Sequence, residues 1–147
     1  LNPNYKKSHI MFKYNYHAFM DNTGNSDIFN ASIVNTTYAQ FFTNYTSGEW
    51  TWNMSIFWAK ANEVASTGND FYDHDAQAIV TALADQSDEL GYEIDLSFDY
   101  QWNPNIVFSG ILAYHFVGDY YAFENDPNND LDIANVLLTG MQLGIKF

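Results

Sequence analysis

The chain has 147 residues with five Lys, no Arg and 18 acidic residues, and a net charge of −13 that excludes nucleic acid as an expected partner. It has no Cys, which excludes a disulfide scaffold or thiolate-bound metal and suits passage through an oxidising periplasm. Aromatic residues make up 18% and apolar residues 47%, yet no stretch approaches the roughly 18 uninterrupted apolar residues of a spanning helix.

Hydrophobicity is instead spread by alternation. Neither a signal peptide nor an initiator Met is visible, so a mature chain or a fragment is expected. Asn2-Pro3-Asn4 reads as a turn that follows a strand not present here. A strand is predicted over Ser8 to Asp21, with Ile10, Phe12, Tyr14, Tyr16, Ala18 and Met20 on one face and Met11, Lys13, Asn15 and His17 on the other. A polar loop over 22–29 follows. The second strand, about Asn30 to Tyr45, is β-branched and aromatic, but neither parity is cleanly apolar and its faces stay unassigned. Thr46-Ser47-Gly48-Glu49 closes a hairpin. The third strand places Trp50, Trp52, Met54, Ile56 and Trp58 on one side and Thr51, Asn53, Ser55 and Ala59 on the other.

A long connection spans 62–88, and loops of that length are usually functional or disordered. Within it Ala76, Ile79, Val80 and Leu83 fall at helical spacing and predict a short helix over Ala76 to Ala84, read as a packed lid or a pore-constricting plug. From Glu89 the alternation is almost without error. Tyr92, Ile94, Leu96, Phe98, Tyr100 and Trp102 share one parity, whereas Glu93, Asp95, Ser97, Asp99, Gln101 and Asn103 share the other. Asn103-Pro104-Asn105 reverses the chain into a strand with Ile106, Phe108, Gly110, Leu112, Tyr114 and Phe116 on its apolar face. Its other face carries Ser109, Ala113, His115 and Asp119. An acidic loop over 118–131 leads to a last strand with Ile133, Leu137, Met141, Leu143, Ile145 and Phe147.

Six long strands, joined by short turns at 46–49 and 103–105 and long loops at 22–29, 62–88 and 118–131, predict an all-β, antiparallel transmembrane β-barrel. Six strands are too few to close the known barrels, which start at eight. Residues 1–147 are therefore read as a single barrel segment, either of a larger barrel or of one completed by further chains.

Leu90-Gly91-Tyr92-Glu93-Ile94-Asp95-Leu96-Ser97-Phe98-Asp99-Tyr100-Gln101-Trp102-Asn103-Pro104-Asn105, followed by Gly118-Asp119-Tyr120-Tyr121, resembles the closing strands of alginate-export-type outer-membrane porins of Gram-negative bacteria. Terminal Phe147, preceded on its parity by Ile145, Leu143 and Met141, resembles the signal that such barrels present to their assembly machinery. The resemblance implies a barrel wider than six strands, a pore or export role, and contact with outer-membrane lipid and lipopolysaccharide. Polyuronate export requires cationic side chains along the path, preferably Arg. This chain has no Arg, and its clearest polar row is acidic.

The candidate residues follow from these faces. Glu93, Asp95, Asp99, Gln101, Lys13 and His115 are expected to line the lumen, where a row of one sign concentrates the opposite ion. Trp50, Trp52, Trp58, Tyr100, Trp102 and Phe147 are expected at the membrane interfaces, the levels that amphipathic rings prefer. Asp126, Asn128, Asp130 and Asp132 recur like the opening of a calcium loop. Leu131 stands where an EF-hand has Gly, and Leu137 where it has its bidentate Glu, so a looser Ca²⁺ or lipopolysaccharide-bridging site is set against a solvated loop. Asp70, Asp73, His74 and Asp75 form a second such candidate. The scattered His residues lack a nucleophile constellation, so no enzymatic activity is expected. The functional expectation is a porin or export channel for neutral or cationic hydrophilic solutes. The alternatives are a sleeve barrel around a partner protein and a soluble carbohydrate-binding β-sandwich.

Overall fold

A computed structural model of the chain describes residues 8–11, 35–73, 77–128 and 131–147. These contain β1 (Thr36–Ser47), β2 (Trp50–Ala61), β3 (Asp70–Asp73), β4 (Ala78–Thr81), β5 (Glu89–Asn103), β6 (Ile106–Val117), a 3₁₀ turn (Asp119–Ala122) and β7 (Val136–Ile145). Five of the strands form one antiparallel sheet in the order β1-β2-β5-β6-β7, and β3 and β4 form a separate hairpin. Among the described residues the large sheet is open, with β1 and β7 as its outer strands.

Pairing turns the alternation of single strands into two continuous faces. Trp50 stands opposite Tyr100, Tyr100 opposite Phe108, and Phe108 opposite Leu143; Ile56, Ile94, Tyr114 and Leu137 form a similar row. On the other side Thr51, Asp99, Ser109 and Gln142 form one row, and Phe57, Glu93, His115 and Val136 another. The same register assigns the faces of β1, which its sequence leaves ambiguous. Tyr45, Thr43 and Phe41 oppose Trp52, Met54 and Ile56 on the apolar face, while Asn44, Phe42 and Gln40 oppose Asn53, Ser55 and Phe57 on the polar one. Phe41 and Phe42 therefore point to opposite faces, which is why neither parity reads as clean.

Several boundaries differ from the expectation. Residues 8–11 form no strand, and the remainder of the strand predicted over Ser8 to Asp21, together with the loop over 22–29 and Lys13, lies outside the described residues. The hairpin at 46–49 tightens to Gly48-Glu49, since Ser47 pairs with Trp50 and Gly48 supplies a φ of 56°. The last strand stops at Ile145. The helix predicted over Ala76 to Ala84 is absent where the chain is described. Ala78-Ile79-Val80-Thr81 is β4, paired with Asp70–Asp73, because a β-branched Ile-Val-Thr run favours a pleated surface over a helix.

Gly91 marks the one irregularity between β2 and β5. Its φ is 98°, Lys60 pairs with Glu89 rather than Leu90, and a Cβ at Gly91 would collide with the carbonyl of Phe116. Gly110 is required for another reason: the Phe98 ring across the strand lies where its side chain would be.

Candidate functional site

The two faces are buried in the reverse of the usual order. On the apolar side Trp50, Trp52, Ile56, Trp58, Tyr92, Ile94, Leu96 and Leu112 are all exposed, and Leu137 is 60% exposed. On the polar side Glu93 is 0%, Asp95 5% and His115 3% exposed. A lone charge in an apolar environment is costly, so Glu93 must be compensated by polar partners. It is. Its Oε1 accepts the backbone N–H groups of His9 at 2.7 Å and Ile10 at 2.8 Å, and its Oε2 accepts that of Met11 at 2.7 Å.

Three consecutive backbone donors on one carboxylate fix residues 8–11 against the polar face of β5. Met11 then packs with Phe57, Ala59 and Leu90, with Tyr120 and Tyr121 against the same cluster. His115 stands opposite Glu93, and its Nε2–H donates to the Leu90 carbonyl at 3.1 Å, because a carbonyl can only accept. Asp95 Oδ1 is buried and has no hydrogen-bond partner among the described residues.

Away from this cluster the polar face is open. A trough of about 1060 Å³ is lined by His9, Ile10, Gln40, Asn53, Ser55 and Asp99, among others. Its floor is knitted by Gln40 donating to Ser55, Asn44 to Asn53, and Ser109 to Asp99. The expected lumen row is thus split. Glu93 and His115 lie in the covered part, Asp95 is buried but borders the trough together with exposed Asp99, and exposed Gln101 donates to the carbonyls of Asn103 and Ile106 at the turn end.

The aromatic residues sort to two ends. At the turn end Trp50 lies 5.5 Å from Trp52 and 4.6 Å from Tyr100, and Trp102 lies 5.6 Å from Phe108. At the loop end Tyr92 stacks on Phe116 at 4.4 Å, with Trp58 opposite Tyr92. Phe147, two residues beyond β7, is fully exposed.

The connections at the loop end are built rather than loose. Asp85 Oδ1 accepts the backbone N–H of Thr67 at 2.7 Å and its hydroxyl at 3.0 Å, and the first bond above all holds its carboxyl below the ordinary carboxylate range. Asn125 accepts the Leu83 N–H and donates to the Thr81 carbonyl, tying β4 to the loop after β6. Lys60 pairs with Asp88 at 3.0 Å.

For the candidate metal loops, Asp126 Oδ1 accepts the Asn128 N–H at 2.9 Å in an Asx turn, while Asp130, His74 and Asp75 lie outside the described residues. Among the described residues no group of three or more His, Asp or Glu is placed to hold a metal. The seat for residues 8–11 has no sequence signal beyond an acid within an alternating strand, because backbone donors carry no residue code. Comparison with known protein families, with curated proteins and with solved structures finds no match to this chain.

Proposed function

We propose that the chain forms part of the wall of a transmembrane β-barrel in a bacterial outer membrane, and that the barrel passes neutral or cationic hydrophilic solutes along its acidic inner face. One observation carries this reading: large apolar side chains from Trp50 to Leu137 are exposed along one face while carboxylates are buried or trough-facing on the other. In water such a face exceeds the few hundred Å² that monomeric proteins usually expose. In lipid it is the required surface.

The aromatic levels support the same reading. Tyr92 and Trp102 are ten steps apart on β5, about 33 Å along the strand, and a tilt of roughly 40° projects this to about 25 Å, the height of the apolar band of such barrels. Ile94, Leu96 and Leu112 fill the space between. A soluble sandwich would pack the aromatic face against a second sheet and leave the carboxylates wet. Closure requires strands beyond the five of the sheet, from elsewhere in the chain or from further chains.

The test is reconstitution. The purified chain should float with phospholipid vesicles through a carbonate wash and should conduct in a planar bilayer, with a reversal potential of cationic sign in a salt gradient. Partition into the aqueous phase without detergent would exclude the membrane reading. Tight insertion with an accompanying protein and no conductance would favour the sleeve.

A further inference from the structure

Residues 8–11 make no strand pairing, yet they are held by the best-donated side chain of the inner face. Glu93 is fully buried and takes three consecutive backbone N–H groups between 2.7 and 2.8 Å. Ser8, Ile10 and Met11 are buried with it, and His9 and Ile10 form one wall of the trough. A carboxylate that serves only as wall charge would be solvated. This one is occupied in holding a segment in place.

We infer that residues 8–11 are a strap latched to the inner wall through Glu93, and that the strap closes part of the conduction path. The inference rests on the pore reading given above and adds its regulation. The latch depends on two accepting oxygens as well as shape. Both Glu93 oxygens accept, whereas Glu93→Gln would replace one of them with a donor facing the Met11 or the His9 and Ile10 N–H groups. The hydrophobic seat of Met11 against Phe57, Ala59 and Leu90 holds the strap once it is aligned, but it does not set its register.

The absence of Cys from the chain makes the seat directly readable. Met11→Cys places a single thiol in the buried cluster and keeps the N–H bond of that position. In reconstituted protein a membrane-impermeant maleimide should modify this thiol slowly while Glu93 is intact. With Glu93→Gln added the rate should rise about tenfold or more, the effect of losing at least one charge-assisted hydrogen bond on a local opening equilibrium. Single-channel conductance of Glu93→Gln, with Met11 intact, should rise in step. Ile10→Pro removes one donor from the strap without touching the sheet, and should act in the same direction even if Glu93→Gln fails to assemble.

If neither Glu93→Gln nor Ile10→Pro changes the labelling rate of the Met11→Cys protein, the latch is overturned. Faster labelling with unchanged conductance would overturn the strap's part in conduction. A labelling contrast in protein that inserts and never conducts would remove the pore reading, and the gate with it, while leaving the latch established.

Discussion

At the scale of single residues, the covered part of the polar face is governed by groups whose partners are backbone. Glu93→Ala removes three charge-assisted bonds and strands three N–H groups, and hydrogen bonds to charged groups are worth about 1.5–3 kcal/mol each. Because the strap relaxes into solvent once released, the expected loss is on the order of 3 kcal/mol rather than the full sum. Urea unfolding in detergent measures it. Gly91→Ala should cost on the order of 1–3 kcal/mol through its φ of 98° and the Phe116 carbonyl, whereas Gly48→Ala, with open space around it, bears the φ cost alone. Asp85 titrates below the ordinary carboxylate value because Thr67 donates to its charged form. A group with a lowered folded pKa contributes its stability above the unfolded value and loses it as pH falls through the folded one. The Thr67 amide resonance should therefore hold its position down to acid pH and move only below the usual carboxylate range. An Asp85→Asn variant should abolish that late titration.

At the scale of elements, what is legible in the sequence is whatever one strand states alone. β2, β5 and β6 alternate strongly enough to define their faces, and both tight turns carry Gly or Asn-Pro-Asn. β1 does not, because Phe41 and Phe42 occupy both faces and only the β2 register separates them. The β3–β4 hairpin escapes the sequence for a related reason. Four-residue strands are too short for a period to show, and apolar residues three and four apart in 76–84 mimic a helix. The hairpin is held from outside by Asn125 and by the Phe71–Phe123 contact at 5.7 Å, so Asn125→Ala should raise hydrogen exchange over 78–83 and leave β5 and β6 unchanged. The strap lies beyond sequence reading altogether, since its donors are main-chain groups of residues that alternate like a strand. The aromatic ends give a direct measurement. In single-Trp variants, lipids brominated near the headgroup should quench Trp50, Trp102 and Trp58 more strongly than lipids brominated at the chain ends, while Ile94→Trp in a Trp-free background should show the reverse order.

At the scale of the whole molecule, Asp99 is the exposed acid that borders the trough, while Asp95 borders it buried and Glu93 is covered. Salt screens a charge within about 8–10 Å at physiological strength, so in the proposed pore one exposed wall charge should give a mild cation preference that grows as salt is diluted. Asp99→Asn should move the reversal potential toward zero without altering assembly, and the change should shrink above about 1 M salt, where the screening length is about 3 Å. Among the described residues the ends of the sheet also differ in charge. Glu63, Asp70, Asp73, Asp85, Asp88, Glu89, Asp119, Glu124, Asp126 and Asp132 gather at the loop end against Lys60, while Glu49 and Lys146 balance one another at the turn end. The described residues consequently form an electric dipole along the strands, negative at the loops. Next to a surface of anionic headgroups that end is repelled unless divalent cations screen the gap, so chelation should loosen the protein's hold at one leaflet and leave the other undisturbed.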